Sequence, residues 1–360
     1  DTWRAGCAKR ISEDPVAFDE SSDRWHDRHF GKPSVPVCLQ EVEPQEIQWL
    51  VPGLIPLGEI TLLGADGGTG KGFWSAQLIG YVTTGKTSGF FPVPPDQTGR
   101  VLVLSGEDDP GKVLATRYMA AGADMSKLHV MTADQYFNEN DKILCVNDKA
   151  LADFVDTIEP ILVLVDPLQS FLPGNVDMGS RNQIRRTMTP LQAINIKNRC
   201  STLVSMHTNK KQGVSGRGRL PDSSGLWDSG RSLLIMGYSK NDGKMYVSHE
   251  KSNYSEKQQT VLMHIEDVTV GGIKAAKAVF DGYTDKKDAD FIEERRFRIA
   301  QTKDDTAAAI LNVLAESKLG SMASGELRAA VTKEIGCSQR TYERAYHSLV
   351  ESGDIEKFML

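Results

Sequence analysis

Short apolar runs alternate with helix-length stretches from Ile47 to about Phe280. In order, the runs predict strands at GEITLLG, RVLVLSG, LHVMT, ILVLVD, STLVSMH, RSLLIMG, KMYVSHEK and TVLMHIED, with helices from Phe73 to Val82 and from Pro110 to Ala121. Unbroken aliphatic segments such as Ile161–Val165 mark strands buried on both faces. The expectation is therefore an α/β protein with a mostly parallel central sheet, helices on both faces, and antiparallel strands at its end. Residues 1–45 are polar, carry Pro33, Pro36 and Pro44, and read as an irregular lead-in or linker. Residues 281–305 are charged and poor in large aliphatics, which reads as a linker, with partial helix left open. Beyond them, Ala308, Ile310, Leu311 and Leu314 mark one helix, Ser324–Ile335 a second and Ser338–Ser352 a third. The GCS turn between the last two and the closing SGDIEKF, taken as a short wing strand, give helix-turn-helix spacing. This divides the chain into a core domain over 46–280 and a small winged-helix-like domain over 306–360.

The strand GEITLLG runs directly into the glycine-rich stretch ADGGTGKG. Backbone N–H groups of such a loop converge on phosphates while a lysine reaches their outer oxygens. The candidate nucleotide-binding residues are Ala65, Asp66, Gly67, Gly68, Thr69, Gly70, Lys71 and Gly72. The literal pattern GxxxxGK[ST] is met elsewhere, at Gly80–Thr87, but that stretch ends a helical run with no strand before it and is rejected as chance. The chosen loop departs from the pattern at Ala65, where a glycine is expected, and at Gly72, where a Ser or Thr hydroxyl ordinarily ligates Mg²⁺. Gly-rich turns also follow strands without binding phosphate, so the rest of the chain must decide.

Two further strand ends carry carboxylates. Asp166 closes the aliphatic strand and is suited to hold Mg²⁺ through water. Its successor is Pro167 rather than the Glu that supplies the water-activating group directly in the AAA+ class, so that group must come from another strand. Glu107, just past RVLVLSG, is the candidate base, with Asp108 and Asp109 assigned to capping the next helix. Acids at such positions also serve as caps alone.

Length and charge change the picture little. A chain of 360 residues suggests roughly two domains. Its net charge of −6 argues against a surface that coats nucleic acid throughout, yet allows a local basic channel. The five cysteines, Cys7, Cys38, Cys145, Cys200 and Cys337, are scattered and form no CxxC pair, which disfavours a disulfide framework or zinc ribbon and fits a cytoplasmic setting. His26 and His29 resemble half a metal site, but read as a solvated turn. No apolar run reaches a membrane span and no signal-peptide pattern opens the chain, so no membrane association is expected. It starts at Asp1 rather than Met, consistent with a fragment of a longer protein.

In order, the loop lysine, Glu107, Asp166, the strand-end His207 and the strand-start Arg231 resemble RecA-class P-loop ATPases. The chain is more closely similar to hexameric replicative helicases of the plasmid RepA kind and their relatives in phages and integrated elements. The resemblance covers about Gln48 to Tyr254, through WLVPGLIPLGEITLL, GADGGTGKG, VLVLSGEDD, LVLVDPLQSF, MHTNK, DSGRSLL and HEKSNY. It implies a RecA-like fold, ATP and Mg²⁺ as ligands, and a homo-oligomeric ring with ATP held between neighbours. It further implies an ATP-driven DNA helicase of replication, with single-stranded DNA and a replication initiator or primase as partners. Arg231 and Lys251 match the family positions that complete a neighbour's site as finger and piston; a local Arg231–Asp228 pair is the alternative. His207 matches a sensor of the γ-phosphate, against the alternative of a core histidine bonded to a carbonyl. The glycine-rich loop after it, with Lys210, Lys211, Arg217 and Arg219, suits sliding contact with phosphates, or is simply solvated. Arg181, Arg185 and Arg186 would add a second cationic rim. In the C-terminal unit, Arg340, Tyr342, Arg344 and His347 lie on the candidate reading helix, with Arg340 and Arg344 as DNA contacts, unless the unit serves protein contacts instead. A non-unwinding, DNA-binding ATPase switch remains the alternative function.

Overall fold

The computed structural model describes residues 36, 38–209, 214–221, 224–239, 241–317 and 320–357. The chain divides into two units, 1–46 and 47–360, and the account below concerns the second. His26 and His29 lie outside the described residues.

A small hairpin of β1 (Trp49–Val51) and β2 (Ile55–Pro56) precedes β3 (Ile60–Ala65), which leads through the glycine-rich loop into α1 (Lys71–Thr84). Next come β4 (Arg100–Ser105), a wide turn over Pro110–Leu114 continuous with α2 (Ala115–Ala120), β5 (Leu128–Thr132), α3 (Ala133–Asn140) and α4 (Lys149–Ile158). The chain continues through β6 (Pro160–Asp166), α5 (Arg181–Asn198), β7 (Ser201–His207) and α6 (Ser224–Ser229). Four strands follow: β8 (Ser232–Ser239), β9 (Lys244–Ser252), β10 (Thr260–Val270) and β11 (Ile273–Thr284). Three helices close it: α7 (Asp288–Glu316), α8 (Ser324–Ile335) and α9 (Gln339–Ser352).

Nine strands form one sheet in the order β11-β10-β9-β8-β3-β7-β6-β4-β5. The six from β8 to β5 pair in parallel, and β9, β10 and β11 add antiparallel. Every residue of β3 is buried, as is β6 up to Asp166, which is what an unbroken aliphatic run predicts. Successive residues of β4 serve opposite faces, as the period of two requires. Val101 and Val103 pack with Trp74, Leu78 and Val82 of α1 in one core cluster. Leu102 and Leu104 pack with Leu151 and Val155 of α4 and with Ile184, Met188 and Leu191 of α5 in the other. The rejected motif at Gly80–Thr87 includes the last turn of α1, where Gly80 lets the helix approach the chain after α2; a Cβ there would stand 2.6 Å from the Ala121 carbonyl oxygen.

Two boundary expectations are corrected. Residues 281–305 are not a linker: β11 runs to Thr284 and α7 is one continuous 29-residue helix. Its Glu, Arg, Lys, Gln and Ala residues are strong helix formers whatever their hydrophobicity, and Phe291 stacks on Tyr246 with ring centroids 4.0 Å apart. The expected wing strand is absent among the described residues 353–357. The C-terminal helices do form, around a separate cluster of Ala309, Ile310, Leu327, Val331, Tyr342, Ala345 and Leu349. Ser338 caps α9, its hydroxyl accepting from the Thr341 N–H at 3.2 Å.

Candidate active site

Sheet register brings the chemistry together. Ala65 pairs with His207 across β3–β7, and Ser105 with Asp166 across β4–β6. The four parallel strands therefore end at one rim, the carboxyl edge where ligands of such sheets bind. A cleft of about 200 Å³ there is lined by Asp66, Gly68, Lys71, Glu107, Asp166 and His207, among others.

The loop itself is shaped for an anion. Gly68 and Gly70 sit at φ 77° and 79°, the left-handed region open to glycine, and α1 starts at Lys71, so its free N–H groups and positive dipole end face the cleft. A Cβ added at Gly67 or Gly68 would meet nothing within 4 Å, which leaves the cradle open. Lys71 Nζ lies 2.6 Å from Asp166 Oδ1, with the two side chains 13% and 19% exposed. His207 Nε2 lies 3.2 Å from Glu107 Oε1, both more open to solvent. His207 thus pairs with the candidate base rather than with a core carbonyl.

Several contributors escaped the sequence reading. Gly106 lets the end of β4 press against the turn after β6: its N–H donates to the Asp166 carbonyl at 2.9 Å, and a Cβ would fall 2.3 Å from Ser170. The strand–Gly–acid pattern was the available signal. Of the two acids assigned to capping, Asp109 accepts from the Gly111 and Lys112 N–H groups at 2.9 and 2.8 Å. Asp108 instead pairs with Arg117 of α2 at 2.6 Å. Arg117 also stands over the Phe73 ring at 4.8 Å, and it fills the space beside Gly72, where a Cβ would be 2.5 Å from its Nη1. Tyr118, next along α2, is held well above the ordinary tyrosine range, first by burial and then by the nearby Asp166 carboxylate.

The donor set can be tested against Mg²⁺. Asp166 supplies a carboxylate in the cleft. Gly72 supplies no hydroxyl, and Thr69 Oγ1 is committed to the Asp66 carbonyl at 2.7 Å. Ser75 Oγ is buried, has no hydrogen-bond partner and lines the same cleft. A carboxylate and an orphaned hydroxyl fit a hard cation that keeps much of its water. No group of three or more His, Cys, Asp or Glu poised for a metal occurs among the described residues.

The remaining candidates lie elsewhere. Arg231 precedes β8 at the level of Ile60, and Lys251 pairs with Leu233, which lies beside Leu62; on the strand rise these levels stand about 16 Å and about 10 Å from Ala65, where the glycine loop begins. They do not join Lys71, Glu107 and Asp166 within one chain. Arg231 does not take Asp228, which pairs with Arg181 at 2.7 Å; Arg231 Nε is 3.8 Å from Glu59 Oε2. Lys251 Nζ donates to the Trp227 and Gly230 carbonyls at 2.6 and 2.7 Å, and burial lowers its pKa. Arg185 and Arg186 are exposed on α5. Lys210 and Lys211 lie outside the described residues. Arg217 is exposed, near Trp227.

Arg219 corrects the expectation of a phosphate-contacting loop cation. It is 4% exposed and bonded to Asp66 and Asp288, so it is not available to DNA in this arrangement. Arg340, Arg344 and His347 are exposed on α9, whereas Tyr342 faces the core at 3% exposure and is not on the candidate reading surface. Among the described residues no helix is long and apolar enough to cross a membrane.

DNA repair protein RadA from two strains of Mycobacterium tuberculosis is 25% identical over 167 residues, or 46% of this chain. The match spans only 30% of the RadA length. A crystal structure of a KaiC-like protein from Pyrococcus horikoshii OT3 aligns over 65% of this chain and 99% of its own at 15% identity, with a TM-score of 0.41. Residues 28–213, more than half of the 360, match the AAA domain family. On that match, the chain belongs to the AAA domain family.

Proposed function

We propose that the protein is an ATP-driven motor acting on single-stranded DNA, a ring-forming helicase for replication of a plasmid, phage or integrated element. One observation carries the reading: Lys71, Glu107, Asp166 and His207, far apart in sequence, line a single cleft at the strand ends. Lys71 and the amides of the glycine loop bind and orient the phosphates. Glu107 orients the attacking water and takes its proton, and His207, 3.2 Å away, holds that carboxylate and shares its charge. Asp166 would hold Mg²⁺ through water, with Ser75 as the unpartnered hydroxyl in the cleft lining. Mg²⁺, when bound, neutralises charge on the phosphate oxygens.

Arg231 and Lys251, away from their own cleft and held locally beside Glu59 and on the Trp227 and Gly230 carbonyls, are the cations this reading assigns to a neighbour's site in a ring. Arg217, Lys210 and Lys211 are the loop cations assigned to DNA, with Arg340 and Arg344 of the C-terminal helical unit as a second contact. A second reading is a non-unwinding DNA-binding ATPase switch, favoured by the missing hydroxyl at Gly72 and by the likeness to a protein named for DNA repair. Three measurements together separate the two: ATPase rate with and without single-stranded DNA, strand displacement on forked DNA, and particle mass. The motor reading expects stimulated turnover, displacement and a ring-sized particle. Slow turnover without displacement would leave the switch, and no turnover would remove both.

A further inference from the structure

An acid inside a cradle for an anion needs a reason. Asp66 stands in the phosphate loop and lines the cleft, with its side chain 50% exposed. Unscreened, its carboxylate would repel a triphosphate a few ångströms away, and such repulsion is strong where water is partly excluded. The loop contributes no cation to offset it other than Lys71, which is held by Asp166.

The offset comes from elsewhere in the chain. Arg219 Nη2 lies 2.9 Å from Asp66 Oδ2 and donates to the Met236 carbonyl at 3.0 Å. Its Nη1 pairs with Asp288 Oδ1. Asp288 is fully buried at the first turn of α7, where the Tyr246 hydroxyl donates to it at 2.8 Å and the Gly216 N–H at 2.7 Å. Burial opposes charge on Arg219, but the pull of Asp288, Tyr246 and Asp66 outweighs it and holds its pKa above the ordinary value. At the other side of Asp66, Oδ1 accepts from the Thr208 hydroxyl. One end of this chain of bonds is locked in the core; the other is the half-exposed loop acid.

We propose that Arg219 is a positioning residue for the nucleotide site: it neutralises Asp66 and pins the phosphate loop to the β7–α6 connection and to the start of α7, so that the cradle accepts an anion. Arg219 itself touches no phosphate. The inference rests on the nucleotide-binding reading above and adds a residue outside the cleft lining to it.

Because Arg219→Gln alone would strand the buried Asp288 charge, the test is made in an Asp288→Asn background. Binding of a fluorescent ATP analogue is measured for the wild type, Arg219→Gln/Asp288→Asn, and the same double variant with Asp66→Asn added, with thermal unfolding of each. Binding is expected to weaken tenfold or more in the double variant, the loss shrinking at high salt, and most of it is expected to return when Asp66 is also neutralised. Asp66→Asn alone removes the charge that Arg219 offsets and should bind the analogue several-fold more tightly than the wild type at low salt, a check that does not depend on the double variant folding. Binding by Asp66→Asn no tighter than that of the wild type, an unimpaired double variant, or a loss that Asp66→Asn does not restore overturns the role of Arg219 while leaving the nucleotide site standing. Failure of the wild type to bind the analogue overturns the nucleotide reading and this proposal with it.

Discussion

Replacing Lys71 with Met removes the ammonium and keeps most of its aliphatic stem, which makes two separable effects measurable. The first is on the folded protein without ligand. Lys71 and Asp166 are 2.6 Å apart and largely shielded, at 13% and 19% side-chain exposure. Removing one partner of a fully buried pair costs about 3–5 kcal/mol. Asp166 keeps some contact with water, so the expected loss in urea unfolding free energy is about 1–3 kcal/mol. Lys71→Met/Asp166→Asn, which removes both charges, should regain at least half of that. The second effect is on nucleotide binding, where a hydrogen bond to a charged group contributes about 1.5–3 kcal/mol. That is about a 10- to 150-fold weakening in the affinity for a fluorescent ATP analogue. The double variant should not regain it, because the phosphate still lacks its cation. A single variant that matches the wild type in both stability and affinity would refute the assignment of Lys71.

Two further outcomes are expected. Gly72→Ala and Gly80→Ala both place a Cβ in close contact, but at Gly72 the obstacle is the far end of the Arg117 side chain and at Gly80 it is the backbone oxygen of Ala121. With about 1 kcal/mol of helix propensity gained in each case, Gly72→Ala should be near neutral. Gly80→Ala should lose about 1–2 kcal/mol net of that gain, and equal melting temperatures would contradict the packing argument. Burial holds His249 down to about 4, so between that value and its ordinary 6.5 the unfolded chain binds a proton that the folded chain refuses. The stability contributed by its neutral form is complete above pH 6.5 and is lost as pH falls toward 4. Between pH 6.5 and 5 the wild type should lose up to about 2 kcal/mol more than His249→Gln; parallel pH profiles would show that the site does not titrate in this way.

The elements that position the site were legible because their signals are local. An aliphatic run such as Ile161–Val165 is long enough to demand burial on both faces, and its terminal Asp166 has only one rim to reach. The glycine loop was likewise readable despite Ala65 and Gly72, since a strand before it and a helix after it aim its amide groups. Long-range pairing was not legible. Nothing in TNKKQGVSGRGR distinguishes Arg219 from Arg217, yet the first is buried by Asp288, 69 residues away, and the second is exposed. Arg117 occupying the space left by Gly72 is equally invisible without the packing of α2 against α1. The segment 281–305 was misread because low aliphatic content was weighed above helix propensity, and the anchoring partners of α7 lie on distant strands. Tyr342 was assigned to a surface by its chemistry, whereas the helical period of α9, with Tyr342, Ala345 and Leu349 buried on one side, assigns it to the core.

The central claim, that this cleft hydrolyses ATP with Glu107 as the group that activates water, is tested most directly by Glu107→Gln. The substitution keeps the shape of the side chain and removes its basicity. The account predicts nucleotide affinity within a few-fold of the wild type and steady-state ATP turnover lower by about 10²–10⁴-fold. Turnover by Glu107→Gln at the wild-type rate would contradict it.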